Sequence, residues 1–171
     1  GNSGTGTDTI SVLTREEGSG TRGAFIELLG IEEKDADGNK TDKTIATAET
    51  TNSTSVMITT VEGNKAAIGY ISLGSLDKSK VKDLKVDGVG ATAENVKNGT
   101  YKVARPFNIA TKGDASGAAS DFIKFILSAE GQAVVEKNGY ISDGNNGSYT
   151  ASGQKGKITV GGSSSVTPVM E

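Results

Sequence analysis

The segment Arg15-Glu16-Glu17-Gly18-Ser19-Gly20-Thr21 gathers a guanidinium, two hydroxyls and two glycines in one short run. It lies between an alternating, β-rich stretch, Thr9 to Thr14, and a run from Thr21 to Leu29 with Phe25, Leu28 and Leu29 at helical spacing. A tetrahedral oxyanion needs several convergent donors, and a helix N-terminus offers unpaired N–H groups and the positive end of a dipole. Gly18 and Gly20 allow close backbone approach, Ser19 and Thr21 add hydroxyl donors, and Arg15 can supply two parallel hydrogen bonds with a full charge. Glu16 and Glu17 would oppose an anion and are expected to face solvent. The plainer reading is an ordinary strand–helix turn capped by Ser19.

A second run, Gly161-Gly162-Ser163-Ser164-Ser165, follows the β-type stretch Lys157-Ile158-Thr159-Val160 and precedes Val166-Thr167-Pro168-Val169-Met170. The same donor logic applies, here without a cation, and Ser164 and Ser165 are its candidate ligands. A flexible Gly/Ser linker is the alternative.

Other chemistries fit less well. No Gly-x-x-x-x-Gly-Lys-Ser/Thr run occurs. Gly18, Gly20 and Gly23 match the dinucleotide pattern, but the stretch before Asp35 and Asp37 is polar and does not read as the required second strand. Asp35-Ala36-Asp37-Gly38-Asn39 resembles half of a calcium loop, with Thr44 where a bidentate Glu is needed; an exposed turn is the better reading. The 171 residues include no His and no Cys, which removes the usual zinc sites and the Ser–His and Cys–His nucleophiles. No metal, cofactor or catalytic residue is expected. Net charge is −3 without a Lys/Arg run, so nucleic acid is not an expected partner. No apolar run is long enough to span a bilayer.

The elements that would position these turns are short. Helices are expected at Ser53–Val61, Thr92–Lys97 and Ser116–Val135, the last broken near Ser128–Gly131. Strands are expected at Ala66–Ser72 and Tyr101–Thr111, the latter carrying Pro106, with Val81–Val89 extended. Residues 142–156 form a linker by composition. Hydrophobic content is 34%, which the 24 glycines bring to an ordinary globular level.

Arg15 to Phe25 closely resembles the phosphate-site motif of the phosphate-binding proteins of ABC phosphate importers, the PstS family. Ala67-Ile68-Gly69-Tyr70-Ile71-Ser72-Leu73-Gly74, Ala104 to Thr111, and Phe122 to Ile141 resemble later family segments in family order. Lys157 to Glu171, however, resembles the start of the mature family protein. The resemblance thus implies a circularly permuted order, joined near Gly144–Ser148, and a missing stretch of roughly a hundred residues. The start at Gly1-Asn2-Ser3-Gly4 reads as processed or engineered.

The resemblance implies an α/β fold of the periplasmic-binding-protein type II kind, with mixed sheets flanked by helices and permuted segments. Residues 1–111 would be mainly second-lobe, 112–141 the C-terminal helices of the first lobe, 142–156 the linker, and 157–171 the family's N-terminal strand and helix start. It implies Arg15, Ser19, Gly20 and Thr21 as phosphate ligands from one lobe and Ser164 and Ser165 from the other. A further Ser and an Asp of the family have no match here, so the isolated chain is expected to bind phosphate weakly or not at all. The implied role is solute binding without catalysis. The expected partners are phosphate, a membrane permease and a complementary polypeptide supplying the missing segment. The family works outside the cytoplasmic membrane, in the periplasm or as a cell-surface lipoprotein; this chain lacks the lipid-bearing Cys and is expected to be soluble. An engineered permuted module with a vestigial site is the alternative.

Overall fold

A computed structural model describes residues 9–144 and 146–171. The chain divides into two compact units, Gly1–Leu84 and Lys85–Glu171.

In the first unit, β1 (Ser11–Arg15) leads through a turn into α1 (Gly20–Leu28). A hairpin follows, β2 (Glu32–Lys34) with β3 (Lys40–Asp42), then β4 (Glu49–Thr51), α2 (Thr54–Gly63) and β5 (Ala67–Ile68). β1 is central in a parallel three-stranded sheet of order β4-β1-β5, with Arg15 opposite Thr51 and Val12 opposite Ile68. Helical crossovers between parallel strands are the α/β solution to burying a strand on both faces. The core is small: Leu13, Ile26 and Met57 are buried, with α2 packed on all three strands. Gly69 leaves the room Met57 fills, since a Cβ there would stand 2.4 Å from its Sδ.

Residues 32–44, polar and charged in sequence, form an antiparallel hairpin whose tip is the exposed turn expected at residues 35–39. Asp35 accepts from the N–H groups of Asp37 and Asn39 and from the Asn39 side chain, which closes its tip. Its carboxylate is thus engaged by the turn, as the non-calcium reading requires.

The second unit carries α3 (Ala93–Lys97), α4 (Gly117–Leu127), α5 (Ala129–Lys137) and a four-residue helix, α6 (Thr167–Met170), entered through a 3-10 turn at Ser164–Val166. The break expected near Ser128 is sharp. The Ser128 hydroxyl donates to the Phe125 carbonyl, which ends α4, and accepts from the Gly131 N–H, which caps α5. Residues 146–152 lie along this helix pair. Asn146 N–H donates to the Leu127 carbonyl, Ala129 N–H to the Gly147 carbonyl, and Tyr149 N–H to the Glu130 carboxylate. The Tyr149 phenol donates to Asp121 at 2.6 Å, its ring edge-on to Phe125.

Two expected strands are not strands, and the expected extended stretch is short. Tyr101–Thr111 and Lys157–Val160 are irregular, and Val81–Val89 reduces to a bridge between Val86 and Val89 around an Asp87-Gly88 turn. A strand exists only where a neighbour pairs with it, and among the described residues none does so here; Pro106 also lacks an N–H to give. No helix among the described residues is long and apolar enough to cross a membrane.

Candidate functional site

The first anion-type turn is built where β1 ends. Thr14 and Arg15 are 5% and 2% exposed, so a charged side chain is buried at the sheet's C-terminal edge, where ligands of open α/β sheets bind. A buried guanidinium needs partners. Nη1 donates to the Thr54 hydroxyl at 3.3 Å, and Nε and Nη2 donate to the two oxygens of Glu16 at 2.7 and 2.8 Å. Glu17 is exposed, as expected, but Glu16 folds back onto Arg15. The correction has a simple cause: the fork of the guanidinium matches a carboxylate's two oxygens.

Gly18 has φ +84°, a left-handed conformation that an L side chain adopts only with strain, and it lets the chain reverse into α1. Ser19 is the N-cap, its hydroxyl accepting from the Arg22 N–H at 3.3 Å. Gly20 and Thr21 then occupy the first two helical positions, at the positive end of the helix dipole. The structure therefore brings Arg15, Ser19, Gly20 and Thr21 onto one strand–turn–helix unit. The capping role of Ser19 and a donor role toward an anion are compatible, because the cap uses the hydroxyl as acceptor.

Sequence reasoning missed the residues that brace this turn. Arg22 donates from Nη1 to the Arg15 carbonyl at 2.7 Å and from Nε and Nη2 to Asp42 on β3. Tyr70 bonds the backbone and side chain at the end of β1. Arg22 was visible as the residue after the motif's threonine; nothing local marked Asp42 or Tyr70, which sit 20 and 55 residues or so away.

The carboxyl of Glu16 titrates below the ordinary glutamate value, first because Arg15 hydrogen-bonds its charged form. A depressed folded-state pKa contributes stability above the unfolded-state value and loses it as pH falls through the folded one. Wild type should therefore exceed Glu16→Gln in stability at neutral pH, with the gap closing only below the ordinary glutamate range. Urea unfolding of both proteins across pH 2–7 checks this; a pH-independent gap would contradict the pairing.

The second turn lies in the other unit. Ser164 is half-buried and Ser165 is 1% exposed. The Ser163 hydroxyl accepts from the Ser165 N–H, and the Tyr140 phenol donates to the Ser165 carbonyl at 2.5 Å, with Phe107 edge-on to the Tyr140 ring. The short α6 has Pro168 in its first turn, as expected. Among the described residues no group of three or more His, Cys, Asp or Glu converges on a metal-binding position.

The PBP superfamily domain matches residues 2–130. "Phosphate-binding protein PstS 2" of Streptococcus agalactiae serotype V is 60% identical over 164 residues, which is 95% of this chain and 56% of that protein. Among solved structures, the phosphate-binding protein of a Streptococcus pneumoniae TIGR4 phosphate ABC transporter superposes with a TM-score of 0.76 at 49% identity, over 95% of this chain and 63% of that one. A putative phosphate ABC transporter substrate-binding protein from Clostridium perfringens, solved with bound phosphate, gives 0.67 at 41% identity over 78% and 51%. The chain thus spans a little over half the length of the curated relatives it matches. Its fold is the α/β, type II-like fold of these binding proteins. The chain belongs to the PBP superfamily and, within it, to the PstS family.

Proposed function

We propose that this chain is part of the solute-binding component of an ABC phosphate importer and that the Arg15–Thr21 turn is its phosphate cradle. The observation that carries the proposal is a buried, positioned Arg15 directly preceding a glycine turn and a helix N-terminus. A buried guanidinium is costly to maintain for packing alone, and it stands where the helix dipole also favours an anion. The names of the relatives support phosphate as that anion. Ser19, Gly20 and Thr21 would donate from the helix start. Ser164 and Ser165 are proposed as donors in the second unit by family resemblance alone. α6 is too short to add an appreciable dipole.

On this reading the protein binds and releases without catalysis and acts outside the cytoplasmic membrane, with a membrane permease as partner. Further ligands come from sequence beyond these residues, in the same chain or on a complementary polypeptide. A match of 60% identity over 95% of this chain supports reading its order of segments as that of a natural relative rather than of an engineered joint.

The test is a phosphate titration of the isotope-labelled chain followed by NMR, which detects weak association. Saturable shifts are expected at the Ser19, Gly20 and Thr21 amides with phosphate, and not with chloride at equal ionic strength. The isolated chain is expected to respond weakly at most; no response up to tens of millimolar phosphate once the missing segment is supplied would sink the reading.

A further inference from the structure

Tyr70 occupies a position that neither its sequence neighbourhood nor its relatives' names assign to the site. On the β4 side, β1 is paired to its very end: Arg15 is opposite Thr51, and the Glu16 N–H donates to the Thr51 carbonyl at 2.9 Å. On the β5 side the ladder stops early. Ser11 pairs with Ala67 and Val12 with Ile68, and β5 then ends. Alternate N–H groups of a strand point to opposite neighbours. The Ser11 N–H donates toward β5, to the Ala66 carbonyl, so the Arg15 N–H points the same way, past the end of the strand that should receive it. A buried N–H without a partner costs about 1–3 kcal/mol.

The Tyr70 phenol fills that gap. Its oxygen accepts from the Arg15 N–H at 3.0 Å and lies 2.8 Å from the Thr14 hydroxyl. Because the oxygen is the acceptor toward Arg15, its own proton is available to Thr14. The ring stacks on Phe25 of α1, with centroids 4.0 Å apart and planes 9° from parallel. One side chain therefore grips the last two residues of β1 and the second turn of α1. These are the two anchors between which residues 16–19 must bend.

We propose that Tyr70 is the positioning residue of the anion turn: its phenol replaces the missing strand partner of Arg15 and, through Phe25, sets how β1 meets α1. The proposal rests on the phosphate reading for its functional half, while its geometric half stands independently.

The experiment compares wild type, Tyr70→Phe and, as a control, Tyr149→Phe, which removes a phenol hydrogen bond in the other unit. Amide hydrogen exchange is read at Arg15 and at residues 18–21, alongside the phosphate titration. Tyr70→Phe keeps the ring stack and removes only the hydroxyl. It should speed exchange at Arg15 and in the turn about tenfold and weaken phosphate binding about tenfold, as loss of one buried hydrogen bond predicts. Tyr149→Phe should change neither. Faster exchange at Arg15 with an unchanged phosphate response would reduce Tyr70 to a structural residue and overturn the proposal, as would unchanged exchange. A wild-type chain that ignores phosphate once the missing segment is supplied defeats the phosphate reading instead, and exchange in residues 18–21 then decides the positioning role alone. Should Tyr70→Phe fold poorly, Phe25→Leu loosens the stack while sparing the hydroxyl and is expected to speed exchange in the same turn.

Discussion

Arg15→Ala is expected to weaken phosphate binding about a hundredfold, because it deletes a charged, forked donor that can make two charge-assisted hydrogen bonds at once. The same change strands its partners. Thr54 loses a buried donor and the Glu16 carboxylate loses the cation that holds its pKa down. Loss of about 1–3 kcal/mol of stability should accompany the loss of binding. Arg15→Lys separates charge from shape: it keeps the cation but cannot engage both Glu16 oxygens and Thr54 together, and it should fall between wild type and alanine in both respects. The NMR titration and urea unfolding check the pair of effects. Phosphate shifts in Arg15→Ala equal to wild type would remove Arg15 from the site, whatever happened to stability.

The second large effect concerns Gly131, and here two principles point in opposite directions. Alanine is the better helix former by about 1 kcal/mol, so propensity alone predicts that Gly131→Ala stabilises α5. Packing predicts the reverse. A Cβ at residue 131 would lie 2.1 Å from the Phe125 carbonyl oxygen, 2.6 Å from that of Ile126 and 2.8 Å from the Ile126 Cα. All three are backbone atoms at the end of α4 and cannot swing aside as a side-chain tip can. Relief requires the α4–α5 corner to open, which would break the Ser128 bonds that end one helix and cap the next. A loss of about 3 kcal/mol or more is expected, in the upper range for overpacking. Thermal or urea unfolding measures it directly, and a stabilised Gly131→Ala would mean that the corner is looser than described.

These two residues mark what a reader of the sequence can and cannot see. The strand–turn–helix after Arg15 was legible because its signal is local: two glycines between a strand pattern and a helix pattern imply a tight turn without tertiary information. The break at Ser128 was legible for the same reason, as were α1, α2 and α3. Gly131 was seen as part of a break, but its necessity depends on the backbone of a neighbouring helix. Tyr70 and Asp42 act across the fold, and a tyrosine in an apolar stretch reads as core. Lys157–Val160 shows the opposite failure. Its β-branched pattern is genuine, but pattern supplies only propensity, and a strand also needs an edge to pair with. Glu16 was read on sign alone: an acid next to an anion site was expected to turn away, whereas its carboxylate pairs with the nearest cation while the side chain stays 36% exposed.

The Tyr149 segment has a practical consequence for anyone turning this protein into a sensor. Residues 146–152 have the composition of a place to splice in a fluorescent reporter. Yet they are anchored to both helices of the α4–α5 corner through Leu127, Ala129, Glu130 and Asp121. An insertion there would pull on that corner, and the reporter would respond to its own strain as well as to ligand. The hairpin tip at residues 35–39 is the gentler port. It is exposed and closes upon itself through Asp35. Through Asp42 and Arg22 it is also wired, two short steps away, to the carbonyl of Arg15.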